Sequence, residues 1–318
     1  MRRFTVSLSI PLLATSLLAT MALAGCGSSA PSSPTVSVTG TFGKSATITI
    51  PAQKASSSLK IQTLIQGKGP ALGKTDSFVG DYAVYLWSGK THKLEQSTFQ
   101  TKDPALFTGQ LLPGLETALR GKKIGSRVLA VIPPKYGYGK AGNSQAGVTG
   151  TDTLVFVVDM IKEFGAKVAA SGTQVSNGGG GLPTVTATTG TAPVIKIPSS
   201  STPPTKLVTK TLIKGSGPAV VKGQTVVAQY VGAIWRTGKV FDSSWSRGEP
   251  FGFTIGATPS QVIPGWDAGL IGQPVGSRVM LVIPPTEGYG TTGNTQAGIK
   301  GTDTLVFVVD IAGAVTPG

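Results

Sequence analysis

Gly293-Asn294-Thr295-Gln296-Ala297-Gly298, followed by Thr304-Leu305-Val306-Phe307-Val308-Val309-Asp310, restates Gly142-Asn143-Ser144-Gln145-Ala146-Gly147 and Thr153-Leu154-Val155-Phe156-Val157-Val158-Asp159. Upstream, Val275-Gly276-Ser277-Arg278 and Ile283-Pro284-Pro285 restate Ile124-Gly125-Ser126-Arg127 and Ile132-Pro133-Pro134. The chain therefore carries a duplicated globular unit. Its apolar runs are short, rich in β-branched residues and punctuated by Gly, Pro, Asn and Asp, as at 225–231, 278–283 and 304–311. These read as strands. Each copy offers one good short helix, near 114–119 and 265–269. The pattern predicts an α+β fold, a mostly antiparallel sheet with one short helix packed on its face.

Bulk composition agrees. A length of 318 residues accommodates two domains. Apolar content of 40%, charged content of 13%, 44 Gly and 22 Pro suit turn-rich β units joined by soft linkers. The formal charge of +14 is spread over single Lys and Arg residues with no dense basic run. That argues against nucleic acid as a partner and leaves a solvated surface, or attraction to an anionic envelope.

Cys26 is the one cysteine, so no intrachain disulfide forms. It follows Arg2-Arg3, a largely apolar run from Phe4 to Ala22, and Leu23-Ala24-Gly25. A basic start, a short apolar run and small residues have the shape of a secretory signal. Small residues directly before cysteine resemble a bacterial lipobox. Residues 1–25 are then a signal peptide, and Cys26 is the lipidated first residue of a protein anchored to the outside of a bacterial cell membrane. Residues 26–58, rich in Ser, Thr and Pro, form a tether. Residues 165–206, with four consecutive glycines at 178–181, form a linker, since no Lys-Ser/Thr follows to make a phosphate cradle. Ala46-Thr47-Ile48-Thr49-Ile50 and Pro193-Val194-Ile195-Lys196-Ile197 alternate like short strands, so the repeat includes part of its own leader. The globular copies are 59–164 and 207–316.

The second copy holds a constellation of its own. Tyr230 is followed by Phe241-Asp242-Ser243-Ser244, Arg247 and Phe251; then come Val262-Ile263-Pro264-Gly265-Trp266, Gly288-Tyr289-Gly290 and Phe307. Many of these aromatics sit beside Gly, Pro or Asp, at turn-like places near the surface. An Asp beside a Phe needs a partner if buried, and Arg247 and Tyr230 are available. In this order and spacing the motifs resemble the FKBP-type peptidyl-prolyl cis-trans isomerases, over about one whole domain. The resemblance implies two tandem domains, each an antiparallel half-barrel sheet wrapped around a short helix. It implies that Trp266 floors an apolar pocket walled by Tyr230, Phe241, Phe251, Val262, Ile263 and Phe307. It also implies that Asp242 faces the pocket and pairs with Arg247, and that Tyr289 donates a hydrogen bond to the ligand. The ligands implied are Xaa-Pro segments of unfolded or secreted chains, and macrolides such as rapamycin. The loop 291–296 carries no aromatic or His, unlike many members of the family.

Such a pocket has a physical route to catalysis. Amide rotation is opposed by C–N resonance, a barrier of ~18–20 kcal/mol. Twisting the bond leaves a less polar, amine-like nitrogen, which an apolar pocket favours over the planar, hydrated amide. No nucleophile, metal or cofactor is required, and none is expected. A non-catalytic use of the same pocket, as a proline-motif-binding chaperone or envelope scaffold, is the alternative. His92, the one histidine, reads as a surface residue.

The first copy departs from this set. Tyr82, Tyr138 and Phe156 match Tyr230, Tyr289 and Phe307, but Leu115 stands for Trp266 and Ala105 for Phe251. Leu94-Glu95 falls near Phe241-Asp242, and only Gln100 or Lys102 lies near the Arg position. The segment from Phe107 to Leu112 is shorter than that from Phe253 to Ile263. Copy one is expected to keep the fold and to be weak or inactive as an isomerase.

Overall fold

The computed structural model describes residues 35–188 and 190–318. The expected signal segment and Cys26 lie outside them. Copy one runs β3 (Lys60–Ile65), β4 (Ser77–Ser88), β5 (Thr91–Ser97), α1 (Thr98–Thr101), β6 (Ala105–Phe107), α2 (Pro113–Leu119), β7 (Arg127–Ile132) and β8 (Thr153–Phe164), after a leader hairpin of β1 (Ser37–Thr39) and β2 (Thr47–Thr49). A short strand β9 (Thr173–Gln174) and a second hairpin, β10 (Thr184–Thr186) and β11 (Val194–Lys196), precede copy two. That copy runs β12 (Val208–Lys214), β13 (Thr225–Ile234), β14 (Val240–Ser243), α3 (Ser244–Arg247), β15 (Phe251–Thr254), α4 (Pro264–Leu270), β16 (Arg278–Ile283) and β17 (Leu305–Val315).

The sheets are antiparallel, in the order β3-β7-β8-β4-β5 with β6 on β4, and β14-β13-β17-β16-β12-β9 with β15 on β13. Register shifts recur at matching places, between Val79/Gly80 and Val227/Ala228 and between Val84/Tyr85 and Gly232/Ala233. Bulges bend a strand, so both copies curl the same way. The four-residue helices α1 and α3 are too short for periodicity to reveal. The strand expected at 304–311 runs on to Val315, because β13 pairs with it along its whole length.

Each long helix starts with Pro at its first position, where the missing N–H is no loss. The helix lies so close to the sheet that a Cβ on Gly265 would stand 2.7 Å from Ile283 Cγ2, and one on Gly114 2.6 Å from Ile132 Cγ2. Only glycine permits that approach. Around α4 pack Trp266, Leu270, Tyr230, Leu281, Ile283 and Phe307.

The outer face of each sheet is covered by that copy's own leader together with a tryptophan of the copy itself. Val36, Ile50 and Trp87 bury Leu129, Val131, Val155 and Val157 in copy one. Val185 and Trp235 do the same over Met280, Val282, Val306 and Val308 in copy two. The indoles are anchored alike, Trp87 Nε1 donating to Gln53 O at 2.9 Å and Trp235 Nε1 to Ser201 O at 3.2 Å. The stretches expected as tether and linker thus contribute ordered hairpins, because a sheet with two apolar faces must bury both.

Under each leader lies a buried ion pair, Arg127–Asp159 and Arg278–Asp310, both at 2.6 Å. Leader backbone completes each: Gly43 N donates to Asp159 at 2.6 Å and Ala170 N to Asp310 at 3.1 Å. Removing one partner strands a buried charge. Asp310→Ala is therefore expected to destabilise the C-terminal unit by ~3–5 kcal/mol in urea unfolding, with a parallel loss for Asp159→Ala in the N-terminal unit.

Candidate active site

On the concave face of copy two the expected aromatics converge. Trp266 is fully buried; its indole stands 5.2 Å from the Tyr230 ring, 5.3 Å from Phe307 and 6.2 Å from Phe251, all edge-on. Phe241 meets Phe307 edge-on at 5.5 Å, and Phe251 meets Tyr230 edge-on at 5.9 Å. Perpendicular rings are the arrangement that aromatic quadrupoles favour. Phe241, Phe251, Ile263 and Tyr289 are only partly buried and form a rim around this floor. The Trp266 Nε1 proton has no hydrogen-bond partner among the described residues.

At the rim, three polar side chains close on one another. Tyr230 donates its hydroxyl proton to Asp242 Oδ2 at 2.5 Å, Arg247 Nη1 donates to Asp242 Oδ1, and Arg247 Nη2 donates to the Tyr230 hydroxyl at 2.9 Å. The Arg247 guanidinium also lies over the Tyr230 ring, 5.5 Å from its centre. Burial, reinforced by Asp242, holds the Tyr230 hydroxyl well above its ordinary value of 10.0. Burial opposes the charge on Arg247, but Tyr230 and Asp242 outweigh it and raise the guanidinium further. The Tyr230 phenol is thus held protonated between Asp242 and a fixed cation.

Tyr289 is raised mainly by burial, while a hydrogen bond from the Asn294 side chain works the other way. Asn294 caps the turn at 295–297, its Oδ1 accepting from Ala297 N at 3.2 Å.

Several further residues support the site through contacts that only the fold reveals. Ser244 Oγ accepts from Tyr230 N at 2.8 Å and donates to Gln229 Oε1 at 2.5 Å, which fixes the start of the rim. Asp267 receives Gly256 N and Ser260 Oγ, each at 2.7 Å, and pins the loop that ends in Val262 and Ile263 to helix α4. Gly232 is empty by necessity: a Cβ there would stand 2.7 Å from Phe307 and 2.9 Å from Phe241.

The strand register corrects the alignment of copy one. Ala83 pairs with Ser97 and Val84 with Gln96, as Val231 pairs with Ser243 and Gly232 with Asp242. Gln96, not Glu95, therefore stands for Asp242, and Glu95 stands where Phe241 does. Thr98 receives Tyr82 N at 2.8 Å, as Ser244 receives Tyr230 N, so α1 superposes on α3 and Thr101 takes the Arg247 position. Neither Gln100 nor Lys102 does. Sequence reading slipped by one because β5 is longer than β14 across a bulge. Val84 stands buried where Gly232 stands in copy two, and the Tyr82 hydroxyl is buried without a partner among the described residues. His92 lies exposed on β5.

Copy two is thus a half-barrel sheet around one short helix, with an aromatic floor on its concave face. Residues 69–161 and 217–312 each match the profile of the family described as FKBP-type peptidyl-prolyl cis-trans isomerase. Among curated relatives, the FK506-binding protein of Streptomyces anulatus is 45% identical over 109 residues, 34% of this chain and 86% of its own length. FK506-binding protein 2B of Rhizopus delemar is 48% identical over 96 residues, 30% of this chain and 44% of its own length. The solved structure of FkpA from Escherichia coli is 36% identical, with a TM-score of 0.32, covering 39% of this chain and 52% of that one. The chain belongs to the FKBP-type peptidyl-prolyl cis-trans isomerase family, and carries its domain twice. The family binds proline-containing substrates and macrolides.

Gly232→Val, which imports the copy-one residue, is expected to close the floor. Rapamycin titration should read at least ~10-fold weaker binding, with overpacking costing about 1–3 kcal/mol of stability. For pH, Tyr230 keeps its proton more tightly folded than unfolded. Its contribution to stability is complete below its ordinary value of 10.0 and is lost as pH rises from there through the raised folded value. Thermal unfolding of the wild type should weaken above pH ~10 more steeply than that of Tyr230→Phe.

Proposed function

We propose that the C-terminal unit is the working isomerase and that it acts on Xaa-Pro segments of chains folding outside the cytoplasm. One contrast carries the reading. Copy two holds the full aromatic floor and the closed Tyr230–Asp242–Arg247 rim, while copy one has Gln96, Thr101, Ala105 and Leu115 at the corresponding places. The proline ring would rest on Trp266 between Tyr230, Phe251 and Phe307. The Tyr289 proton would hold a flanking carbonyl as the amide twists, and the fixed Asp242–Arg247 pair would keep the rim from collapsing. The floor offers the twisted amide an apolar surround and the planar amide no replacement for its water. The same surface would accept rapamycin. Attachment to the outer face of a bacterial membrane through lipid on Cys26 is supported by Leu23-Ala24-Gly25-Cys26 behind its apolar run.

Two substitutions in the full chain test the assignment. Trp266→Leu should lower kcat/KM on a short Xaa-Pro peptide by at least ~10-fold, and Leu115→Ala should leave it within about twofold. Asp242→Ala and Tyr289→Phe should each weaken catalysis. The reverse pattern would move the activity to copy one. A folded chain without catalysis, which nonetheless loses proline-peptide capture on Trp266→Leu, would make it a binding scaffold. Cys26→Ser should release the protein from the membrane fraction; an unchanged distribution would remove the anchor.

A further inference from the structure

The two copies meet back to back through matching residues. Val79 and Val227 hold the same register position on β4 and β13, and Phe164 and Val315 the same position on β8 and β17. All four form one apolar cluster, joined by Leu106 and by the matched pair Ile161 and Ala312. The polar contacts follow the same rule. Thr254 Oγ1 donates to Asp103 Oδ1, and Thr108 Oγ1 donates to Glu249 Oε2 at 3.3 Å. Asp103 corresponds to Glu249 and Thr108 to Thr254, because α1–β6 superposes on α3–β15. Residue i meeting the counterpart of j while j meets the counterpart of i is the signature of an isologous interface. Here it joins two halves of one chain.

The match breaks where the counterparts Leu106 and Gly252 face each other, since a Cβ on Gly252 would stand 2.6 Å from Leu106 Cβ. Nearby, the Phe164 ring lies over Gly313. Gly252 sits between Phe251 and Phe253 on β15, facing away from the floor. Leu106 thus presses on the back of the strand that presents Phe251.

Asp103 reaches further. Its Oδ2 accepts from Gln261 Nε2 at 3.3 Å, and Gln261 Oε1 accepts from Thr254 N at 2.8 Å. One carboxylate from copy one therefore holds both the end of β15 and the loop that delivers Val262 and Ile263. Asp267 grips that loop from inside; Asp103 grips it from across the interface. Thr225 Oγ1 adds a bond to Pro104 O at 2.9 Å.

We propose that copy one is a built-in partner of the C-terminal site, and that Asp103 is a positioning residue for its pocket wall. The inference rests on the C-terminal unit being the working site. It gives copy one a role that needs the fold and this edge, and no pocket of its own.

The test uses the full chain with Asp103→Ala, Asp103→Asn and Thr254→Val. Asp103→Ala should speed amide hydrogen exchange across 254–263 and raise both KM for the peptide and Kd for rapamycin by about 3- to 10-fold, with kcat within about twofold. Asparagine keeps an acceptor for Thr254 and should recover part of the loss. Asp103→Ala with Thr254→Val should cost no more than Asp103→Ala alone, since Thr254 acts through a contact that Asp103→Ala already removes. Unchanged exchange at 254–263 in Asp103→Ala overturns the proposal, as do additive effects of the two changes. Leu106→Asp, aimed at the apolar contact, should shift exchange in the same direction; a shift confined to copy one also overturns it. A wild-type chain with no catalysis defeats the isomerase assignment instead, and leaves the exchange measurement to decide the brace.

Discussion

A seven-residue helix spans ~10 Å, whereas the eleven residues of β17 extend over more than ~30 Å. One short helix cannot cover the concave face of so long a sheet. What it leaves uncovered must either be filled or remain as a cavity, and the two copies line it differently. In copy two the uncovered part is paved by perpendicular aromatic rings whose edges and faces satisfy one another. The close seat of Gly265 on Ile283 brings Trp266 down far enough to become its floor. Every wall residue is then placed relative to that seat.

Copy one has the same helix, seat and bulges but a different set of residues around them. Val84 replaces the glycine that made room for two phenylalanines, and Leu115 gives a smaller floor. The polar rim has gone with it, since without Asp242 and Arg247 counterparts the Tyr82 hydroxyl has nothing to hold. What persists in copy one is the edge that faces its neighbour. Asp103, Leu106 and Phe164 make contacts in the interior of the molecule, and the asymmetric pairs Leu106 with Gly252 and Phe164 with Gly313 let two similar surfaces nest.

Much of the site was legible along the chain because it is built from contiguous motifs. Phe241-Asp242-Ser243-Ser244 and Val262-Ile263-Pro264-Gly265-Trp266 each place several site residues on one turn, and short-range spacing survives folding. Gln229, Gly232, Asn294 and Asp267 went unread because each acts on a residue brought close by another strand or loop. A lone Gly or Asp in a strand-rich sequence carries no mark of the ring or amide it will meet. The one-residue slip at Glu95 has the same origin: a bulge changes which side chain faces inward, and only the paired strand reveals where it lies.

By itself the sequence determined the duplication, the α+β class and the aromatic set of the second copy, since these depend on local periodicity and on residues near one another in the chain. Tertiary structure alone decided that the leaders fold over the outer faces, that Val84 is buried in the first core where Gly232 stands in the second, and that Asp103 reaches the loop before Val262. These depend on contacts between residues distant in sequence, where the packing of one surface against another selects the outcome and no local pattern encodes it.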